Sequence, residues 1–153
     1  MEFWKKKIKN SNKLDFYRKF KHEYKAEEYL DMAPTMYAKR DYIKFRTSNH
    51  KLAVEILRYK RPIVPREQRL CELCTEDKIE DEFHMIFECT TYKNIREIYF
   101  QKIHALIACN HAFKDEFIET IFKSLNTPVI IYTSNFIKKC FTKRKSLLQS
   151  LVT

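Results

Sequence analysis

Three cysteines and one histidine, spread over residues 71–89, are the side chains of this sequence best suited to chemistry. Cys71, Cys74, His84 and Cys89 follow the spacing C-x2-C-x9-H-x4-C, in which the first two cysteines can face one ion from a tight knuckle. Thiolate sulfur and imidazole nitrogen are the usual ligands of tetrahedral structural zinc, and four of them complete its coordination. The spacing therefore predicts one structural Zn2+ with no position left for a reacting water.

The alternative interpretation of this cluster is three buried cysteines beside a core histidine. Five cysteines in total cannot all pair in disulfides, and their clustering beside a histidine favours metal binding in a reducing compartment. Cys109 and His111 could form half of a second site with His104, but no fourth partner lies at a matching spacing. We therefore expect Cys109 to be a buried thiol, His111 a surface or interface residue, and Cys140 a small core hydrophobe.

The elements around the ligands have to bring them together. Asp81 is a credible N-cap for a helical turn that carries His84, and this turn should end or bend near Cys89 so that both ligands converge. The nine residues before His84 leave room for a turn or a short β-hairpin. Thr90 or Thr91 can cap the next helix.

The rest of the sequence predicts a mainly α fold. Glycine is absent, which disfavours a sheet with many tight hairpins. Apolar spacings of three and four predict one or two helices within 11–32 closed by Pro34, and others over 36–46, from a Ser48 or Asn49 cap, from Ile95 to Leu106, from Phe113 to Leu125, and from Thr127-Pro128 onward.

These elements are expected to form one domain over residues 1–153. Its parts are a basic helical segment at 1–69, a small CCHC zinc knuckle at 70–92, and C-terminal helices at 93–153. No apolar stretch is long enough to span a membrane, and no secretory leader is recognisable, so we expect an intracellular protein, nuclear or cytoplasmic. The absence of glycine also excludes glycine-rich phosphate loops, and no nucleophile–base arrangement is visible, so we do not expect an enzyme.

Charge is distributed unevenly along the chain. The net charge is +10, yet residues 70–89 contain one lysine and seven carboxylates. The basic flanks are therefore better candidates than the zinc segment for contacting phosphate groups. One basic cluster, Lys5, Lys6, Lys7 and Lys9, lies near the start. The candidate nucleic-acid-binding residues are Arg58, Lys60, Arg61, Arg66, Arg69, Lys138, Lys139, Lys143, Arg144 and Lys145.

These clusters predict binding to single-stranded RNA or DNA with weak sequence preference. Tyr59 and Tyr92 could stack on unpaired bases, and such binding should weaken as salt concentration rises. Two alternatives remain: a basic surface that only keeps the protein soluble, or a zinc-scaffolded interaction domain that meets an acidic protein. Neither a membrane nor a small-molecule substrate is expected as a partner.

The sequence resembles the zinc-binding tail that closes the reverse-transcriptase reading frame of non-LTR (LINE-type) retrotransposons. The resemblance is carried by residues 45–55, 58–59, 65–74 and 79–84 together with Cys89, with the sequences FRTSNHKLAVE, RY, PREQRLCELC and IEDEFH. It implies a CCHC zinc element that helps to hold template RNA or target DNA, with the four ligands named above.

The resemblance also has limits that bear on function. Leu57 stands where that family often has glycine. This difference affects the expected conformation of a local turn and does not affect the four ligands. No Tyr-x-Asp-Asp polymerase motif and no nuclease motif is present, so the chain, which starts at Met1, is expected to be a detached or truncated copy without catalytic activity. His50 and Glu55 match the family pattern and are expected to be hydrogen-bonding groups near the site or ordinary surface residues.

Overall fold

The computed structural model describes residues 2–32 and 35–152, and the backbone is mainly helical, as predicted. The α-helices are α1 (Glu2–Lys9), α2 (Tyr29–Met32), α3 (Met36–Arg46), α4 (Ala53–Ile56), α5 (Lys93–His104), α6 (Lys114–Lys123) and α7 (Thr127–Val152). Short 3-10 turns lie at Asn12–Leu14, Tyr17–Lys19, Leu57–Tyr59, Arg66–Gln68 and Thr90–Tyr92. A π-helical turn spans His84–Glu88, and the β pairing within the described ranges is one antiparallel bridge between Leu70 and Ile79.

The long helix α7 packs against both α3 and α5. Its cap is Asn126, whose side-chain oxygen accepts the N–H of Val129 at 3.3 Å. The sequence predicts Thr127 as the cap and Pro128 as the first helical residue, but Thr127 is itself the first helical residue, and its hydroxyl donates to the carbonyl oxygen of Met32 at 3.1 Å. No helix in the described part of the chain combines the length and the apolar character needed to cross a bilayer.

Aromatic rings pack α6 against the N-terminal segment and α3. The ring of Phe122 in α6 has its centroid between 5.2 and 6.0 Å from those of Phe16, Phe20, Tyr42 and Phe45. Such pairs contribute about 0.5–1.5 kcal/mol each beyond the apolar area that they bury. The N-terminal segment, α3 and α6 therefore share one core.

The prediction of regular amphipathic helices within 11–32 is wrong for most of that segment. Two 3-10 turns and the short α2 form instead, although Phe16, Phe20 and Tyr29 are still buried in the core. One reason is the guanidinium of Arg18, which donates to the carbonyl oxygens of Ile8 and Ser11 at 2.9 and 2.7 Å and stabilises a chain reversal after α1. The predicted end at Pro34 lies outside the described residues.

The prediction of a helix capped by Ser48 or Asn49 is also wrong. Ser48 has a φ of +50°, and its hydroxyl donates to the carboxylate of Glu82 at 2.6 Å and caps no helix. Helix α4 begins only at Ala53, so the intervening residues form a loop beside the zinc segment predicted from the sequence.

A buried arginine stabilises the junction between the N-terminal segment and α3. Arg46 is 1% exposed, and its guanidinium carbon lies 4.4 Å from the ring centroid of Tyr29 and 4.6 Å from that of Phe20. Its counter-charge is Glu27, 2.9 Å away, which Lys21 also contacts at the same distance. Cation–π contact and ion pairing together offset the cost of burying this charge.

The substitution Glu27→Gln is predicted to cost about 2 kcal/mol at neutral pH, because Arg46 would keep its buried charge without a carboxylate. Burial alone would raise the pKa of Glu27, but the hydrogen bond from Lys21 and the charge of Arg46 outweigh it and lower that pKa. A carboxylate with a lowered folded-state pKa stabilises the protein fully above its unfolded-state pKa, and this contribution is lost as pH falls through the folded-state value.

The stability difference between wild type and Glu27→Gln should therefore be constant above about pH 5.5 and shrink below about pH 4.5. Urea unfolding at a series of pH values measures it. The exposed neighbour Glu28 provides the matched control Glu28→Gln, for which we expect a change below about 0.5 kcal/mol. If the difference in free energy of unfolding between wild type and Glu27→Gln did not change with pH, this account would be contradicted.

Candidate metal centre

The first two cysteines lie on a turn whose ends are joined by backbone hydrogen bonds. The N–H of Cys71 donates to the carbonyl of Lys78, and that of Glu80 donates to the carbonyl of Arg69, each at 2.9 Å. Asp77, within the turn, has a φ of +50°, a left-handed conformation that aspartate tolerates better than most residues. Aspartate therefore takes the turn position where glycine is common, in a chain that contains no glycine.

The other two ligands lie at the two ends of the π-helical turn. Asp81 Oδ1 accepts the N–H of His84 at 3.0 Å, which confirms the predicted cap. The N–H of Cys89 then donates to the carbonyl of His84 at 2.8 Å, an i→i+5 hydrogen bond. In an α-helix, residues five apart are rotated by about 140°, whereas the wider π turn brings them closer to one face. This turn lets both side chains converge.

The structure brings together the four side chains that the spacing predicted. Their ligand atoms all lie within 4.8 Å of one another. Cys71 Sγ is 4.0 Å from Cys89 Sγ, and Cys74 Sγ is 3.3 Å from His84 Nε2. Cys71, His84 and Cys89 are buried and Cys74 is half-buried, so the cluster faces inward.

These separations fit a single tetrahedral ion. With metal–sulfur bonds of about 2.3 Å and metal–nitrogen bonds of about 2.0 Å, the edges of the tetrahedron are about 3.8 Å between sulfurs and about 3.5 Å between sulfur and nitrogen. The two distances measured here differ from these values by only a few tenths of an ångström. The cluster can therefore hold a metal ion with little rearrangement.

The electrostatics of the cluster favour the deprotonated form of one of its three thiols. A hydrogen bond from Cys71, helped by one from His84, lowers the pKa of the Cys89 thiol. The same Cys71–Cys89 hydrogen bond, together with burial, raises the pKa of Cys71, and burial raises that of Cys74. Burial alone would lower the pKa of His84, but the hydrogen bond and charge of Cys89 outweigh it and raise that pKa. A thiolate is thus stabilised within the cluster before any ion arrives, as metal ligation needs.

A carboxylate lies beside the outer nitrogen of the histidine. His84 Nδ1 is buried without a hydrogen-bond partner and lies 3.7 Å from Glu88 Oε2. Glu88 is held by Lys78 at 3.1 Å and by Lys114 at 3.3 Å. A carboxylate in this position orients a ligating imidazole and favours the tautomer whose inner nitrogen is free to bind metal.

Arg96, in α5, supports the π turn from outside. Its guanidinium donates to the carbonyl oxygens of Ile86 at 2.6 Å and Cys89 at 2.9 Å, groups that the end of a helical turn leaves without intrahelical partners. The predicted threonine cap of α5 is wrong: the helix begins at Lys93, and the hydroxyl of Thr91 donates to Leu73 on the knuckle at 2.6 Å.

Two buried glutamates connect the metal cluster to the helices on either side. Glu80 accepts two hydrogen bonds from the guanidinium of Arg144 in α7, at 2.8 and 2.6 Å, and one from the N–H of Ala53 at 2.7 Å. Glu82 accepts from Ser48 and lies 2.8 Å from His50 Nε2. Neither glutamate was singled out in the sequence, where both belong to an unremarkable acidic run.

The basic candidates between 58 and 69 have different surroundings. Arg58 is paired with Glu55 at 2.7 Å, and Arg66 with Asp81 at 3.0 Å. Arg69 is 7% exposed, and its guanidinium donates to the carbonyl oxygens of Val54 and Val64. Lys60 and Arg61, by contrast, are exposed.

The basic candidates of α7 divide in the same way. Lys143 donates to the carbonyl of Thr91 at 2.7 Å, and Arg144 pairs with Glu80, so both contact the metal-binding segment. Lys138, Lys139 and Lys145 are exposed, as are the lysines of α1. Proximity in sequence therefore does not make these cations equivalent.

The remaining candidates are resolved by burial. Tyr59 is 66% exposed, but Tyr92 is only 1% exposed, so the interpretation of Tyr92 as a base-stacking residue is wrong. Cys140 is fully buried, as predicted. His104 Nε2 lies 2.7 Å from His111 Nδ1 in an exposed pair, and no metal cluster other than Cys71, Cys74, His84 and Cys89 occurs among the described residues.

Comparisons of the chain with protein-family models, with curated proteins and with solved structures find no match, so none of them identifies a reverse-transcriptase tail.

Proposed function

We propose that the protein is a zinc-stabilised module that binds single-stranded nucleic acid and has no catalytic activity of its own. The observation that carries this proposal is the separation of charge in the folded chain. Four of the seven carboxylates in residues 70–89 are engaged within the protein by Arg144, Arg66, His50 and the Lys78–Lys114 pair. The exposed lysines of α1 and α7 keep their charge available for phosphate groups, and so do Lys60 and Arg61.

The donor set favours zinc as the metal. Three thiolates and one imidazole are the ligands of structural Cys3His zinc sites, whereas harder ions such as Mg2+ and Ca2+ prefer oxygen. Protein ligands would fill all four positions, so the ion would stabilise the fold and would not activate water. Cys71, Cys74, His84 and Cys89 would hold it.

A relationship to the zinc-binding tails of non-LTR retrotransposon reverse transcriptases is part of the same proposal. It is supported by the sequence segments and by the close grouping of Cys71, Cys74, His84 and Cys89. A module of this kind would hold RNA or DNA near another active site and would carry no reaction itself.

Binding to single-stranded RNA or DNA is predicted to depend steeply on salt. Contacts to about five phosphates would weaken the affinity roughly 100-fold between about 50 mM and about 200 mM monovalent salt, because bound counterions are released on association. Fluorescence anisotropy with a labelled oligonucleotide of about fifteen nucleotides measures this slope. Absence of binding at low salt, or equal affinity across the series, would contradict the proposal.

The competing function is an interaction domain for an acidic protein, favoured by the exposed apolar side chains of Leu30, Met32, Met36 and Tyr37. An acidic peptide competitor in the same anisotropy assay distinguishes the two. Tight peptide binding together with no oligonucleotide binding would favour the interaction domain.

A further inference from the structure

A deep groove lies between α3 and α7. It has a volume of about 1190 Å3, which exceeds the roughly 300–1,000 Å3 typical of small-molecule sites. Its floor is apolar and consists of Phe45, Ile137, Phe141 and Leu148. We call this feature the α3–α7 groove.

The rim of the α3–α7 groove is strongly basic. Lys44, Lys51, Lys138 and Lys145 line it and are exposed, and none of them forms an ion pair within the described ranges. The carboxylate of the lining is Asp41, which lies 3.7 Å from Arg40. Lysines converging on both sides of one cleft attract a polyanion more strongly than the same charges dispersed over a surface.

Phe141 gives the floor an aromatic surface. It is half-buried, and its ring centroid lies 6.2 Å from that of Phe45 and 6.0 Å from that of His50, so its orientation is supported from below. An aromatic ring on the floor of a basic cleft is the arrangement on which unpaired bases stack while lysines contact the backbone.

The wall of the groove is held by the metal-binding segment. His50 and Arg144 both belong to the lining, and their partners are Glu82 and Glu80, which precede the ligand His84 by two and four residues. The groove is therefore attached to the knuckle by two side-chain contacts, His50–Glu82 and Arg144–Glu80. Such support reduces the ordering needed when a ligand binds.

We propose that the α3–α7 groove is the binding site for an unpaired segment of nucleic acid, with a base on Phe141 and phosphates on Lys44, Lys51, Lys138 and Lys145. This inference rests on the proposed function and adds where on the protein the nucleic acid binds. Base pairing and stacking hide the faces of the bases in a duplex, so the groove should prefer single strands. Lys44 and Lys51 are cations that the charge clusters of the sequence do not include.

The test compares two triple variants that remove the same charge. Lys44→Gln/Lys138→Gln/Lys145→Gln removes three of the four groove lysines, and Lys5→Gln/Lys6→Gln/Lys9→Gln removes three of the four lysines of α1. We expect the groove variant to weaken binding of a single-stranded oligonucleotide at least 30-fold at low salt and to reduce the slope of log K against log salt by about 2, and the α1 variant to weaken it less than about threefold.

A second variant, Phe141→Leu, keeps an apolar side chain and all charges. It should reduce single-strand affinity about tenfold and leave weak duplex binding unchanged, since only unpaired bases can stack. Cross-linking of an oligonucleotide containing 4-thiouridine independently locates the bound strand on the protein. We expect adducts on peptides from α3 and α7. Thermal melts of every variant verify that the fold is intact.

The outcomes separate the two proposals. Equal losses in both triple variants, or adducts mapped away from α3 and α7, overturn the groove and leave nucleic-acid binding in place. No binding by the wild type overturns both. A groove that prefers an acidic peptide to the oligonucleotide shows that its partner is a protein and contradicts the inference.

Discussion

Replacing Cys89 with serine should abolish metal binding and lower the free energy of unfolding by at least about 4 kcal/mol. Cys89 is fully buried, and it lies where the π turn converges on Cys71 and His84. Its loss would leave Cys71, Cys74 and His84 without the ion that would hold them together. Structural zinc contributes on the order of 10 kcal/mol or more to small zinc domains, and part of the helical core here can persist without it.

The matched control for this variant is Cys140→Ser. Cys140 is equally buried but lies outside the ligand cluster. The variant Cys140→Ser therefore has the cost of burying a hydroxyl group but loses no candidate ligand. Elemental analysis by mass spectrometry and urea unfolding with and without a chelator provide the measurements. Wild type and Cys140→Ser should each contain one zinc per chain and lose stability on chelation, whereas Cys89→Ser should do neither.

Two results would contradict the metal assignment. Purified wild type without bound metal would show that the cluster is only a buried thiol group. Retention of zinc by Cys89→Ser would show that another ligand completes the site. A different ion in place of zinc would keep the cluster and revise only the identity of the metal.

The second large effect is expected for Glu80→Ala, which should destabilise the protein by about 3–5 kcal/mol. Glu80 is 1% exposed and forms two hydrogen bonds with Arg144, whose side chain is 11% exposed. Removing the carboxylate would leave that guanidinium buried without a counter-charge and deprive the N–H of Ala53 of its acceptor. The knuckle would also lose its ion pair with α7.

A double-mutant cycle isolates this contact. Arg144→Met should be destabilising alone, but the double variant Glu80→Ala/Arg144→Met should be more stable than the sum of the single changes predicts, because no unpaired charge remains. Glu76→Ala, an exposed glutamate on the same knuckle, is the control and should change stability by less than about 0.5 kcal/mol. Strict additivity in the cycle would mean that the two side chains do not stabilise each other.

The predictable parts of this molecule are those that depend on neighbours in sequence. The ligand spacing, the Asp81 cap and α3 depend on residues a few positions apart, and the structure contains all three. The π turn was not predicted, although the requirement for a bend near Cys89 was. Four residues between two ligands are incompatible with one face of an α-helix, and the i→i+5 hydrogen bond resolves the mismatch.

Apolar periodicity was a weaker guide within 11–32. Phe16 and Phe20 are buried, and 3-10 turns present them to the core as effectively as a helix would. Side-chain hydrogen bonds from Arg18 to backbone carbonyls stabilise that alternative. Tertiary contacts thus override a local preference worth only tenths of a kcal/mol per residue.

By itself, the sequence determined the four candidate metal ligands, the mainly helical class and the excess of positive charge, because each depends on residue type and short spacing. Only the tertiary structure decided which cations are free. Glu80 and Arg144 are 64 positions apart, and nothing in either local sequence indicates that they pair. Their pairing withdraws charge from the surface, while the approach of α3 to α7 places Lys44, Lys138 and Lys145 in the lining of one groove. Charge is set by composition, but its availability depends on which partners the fold brings within reach.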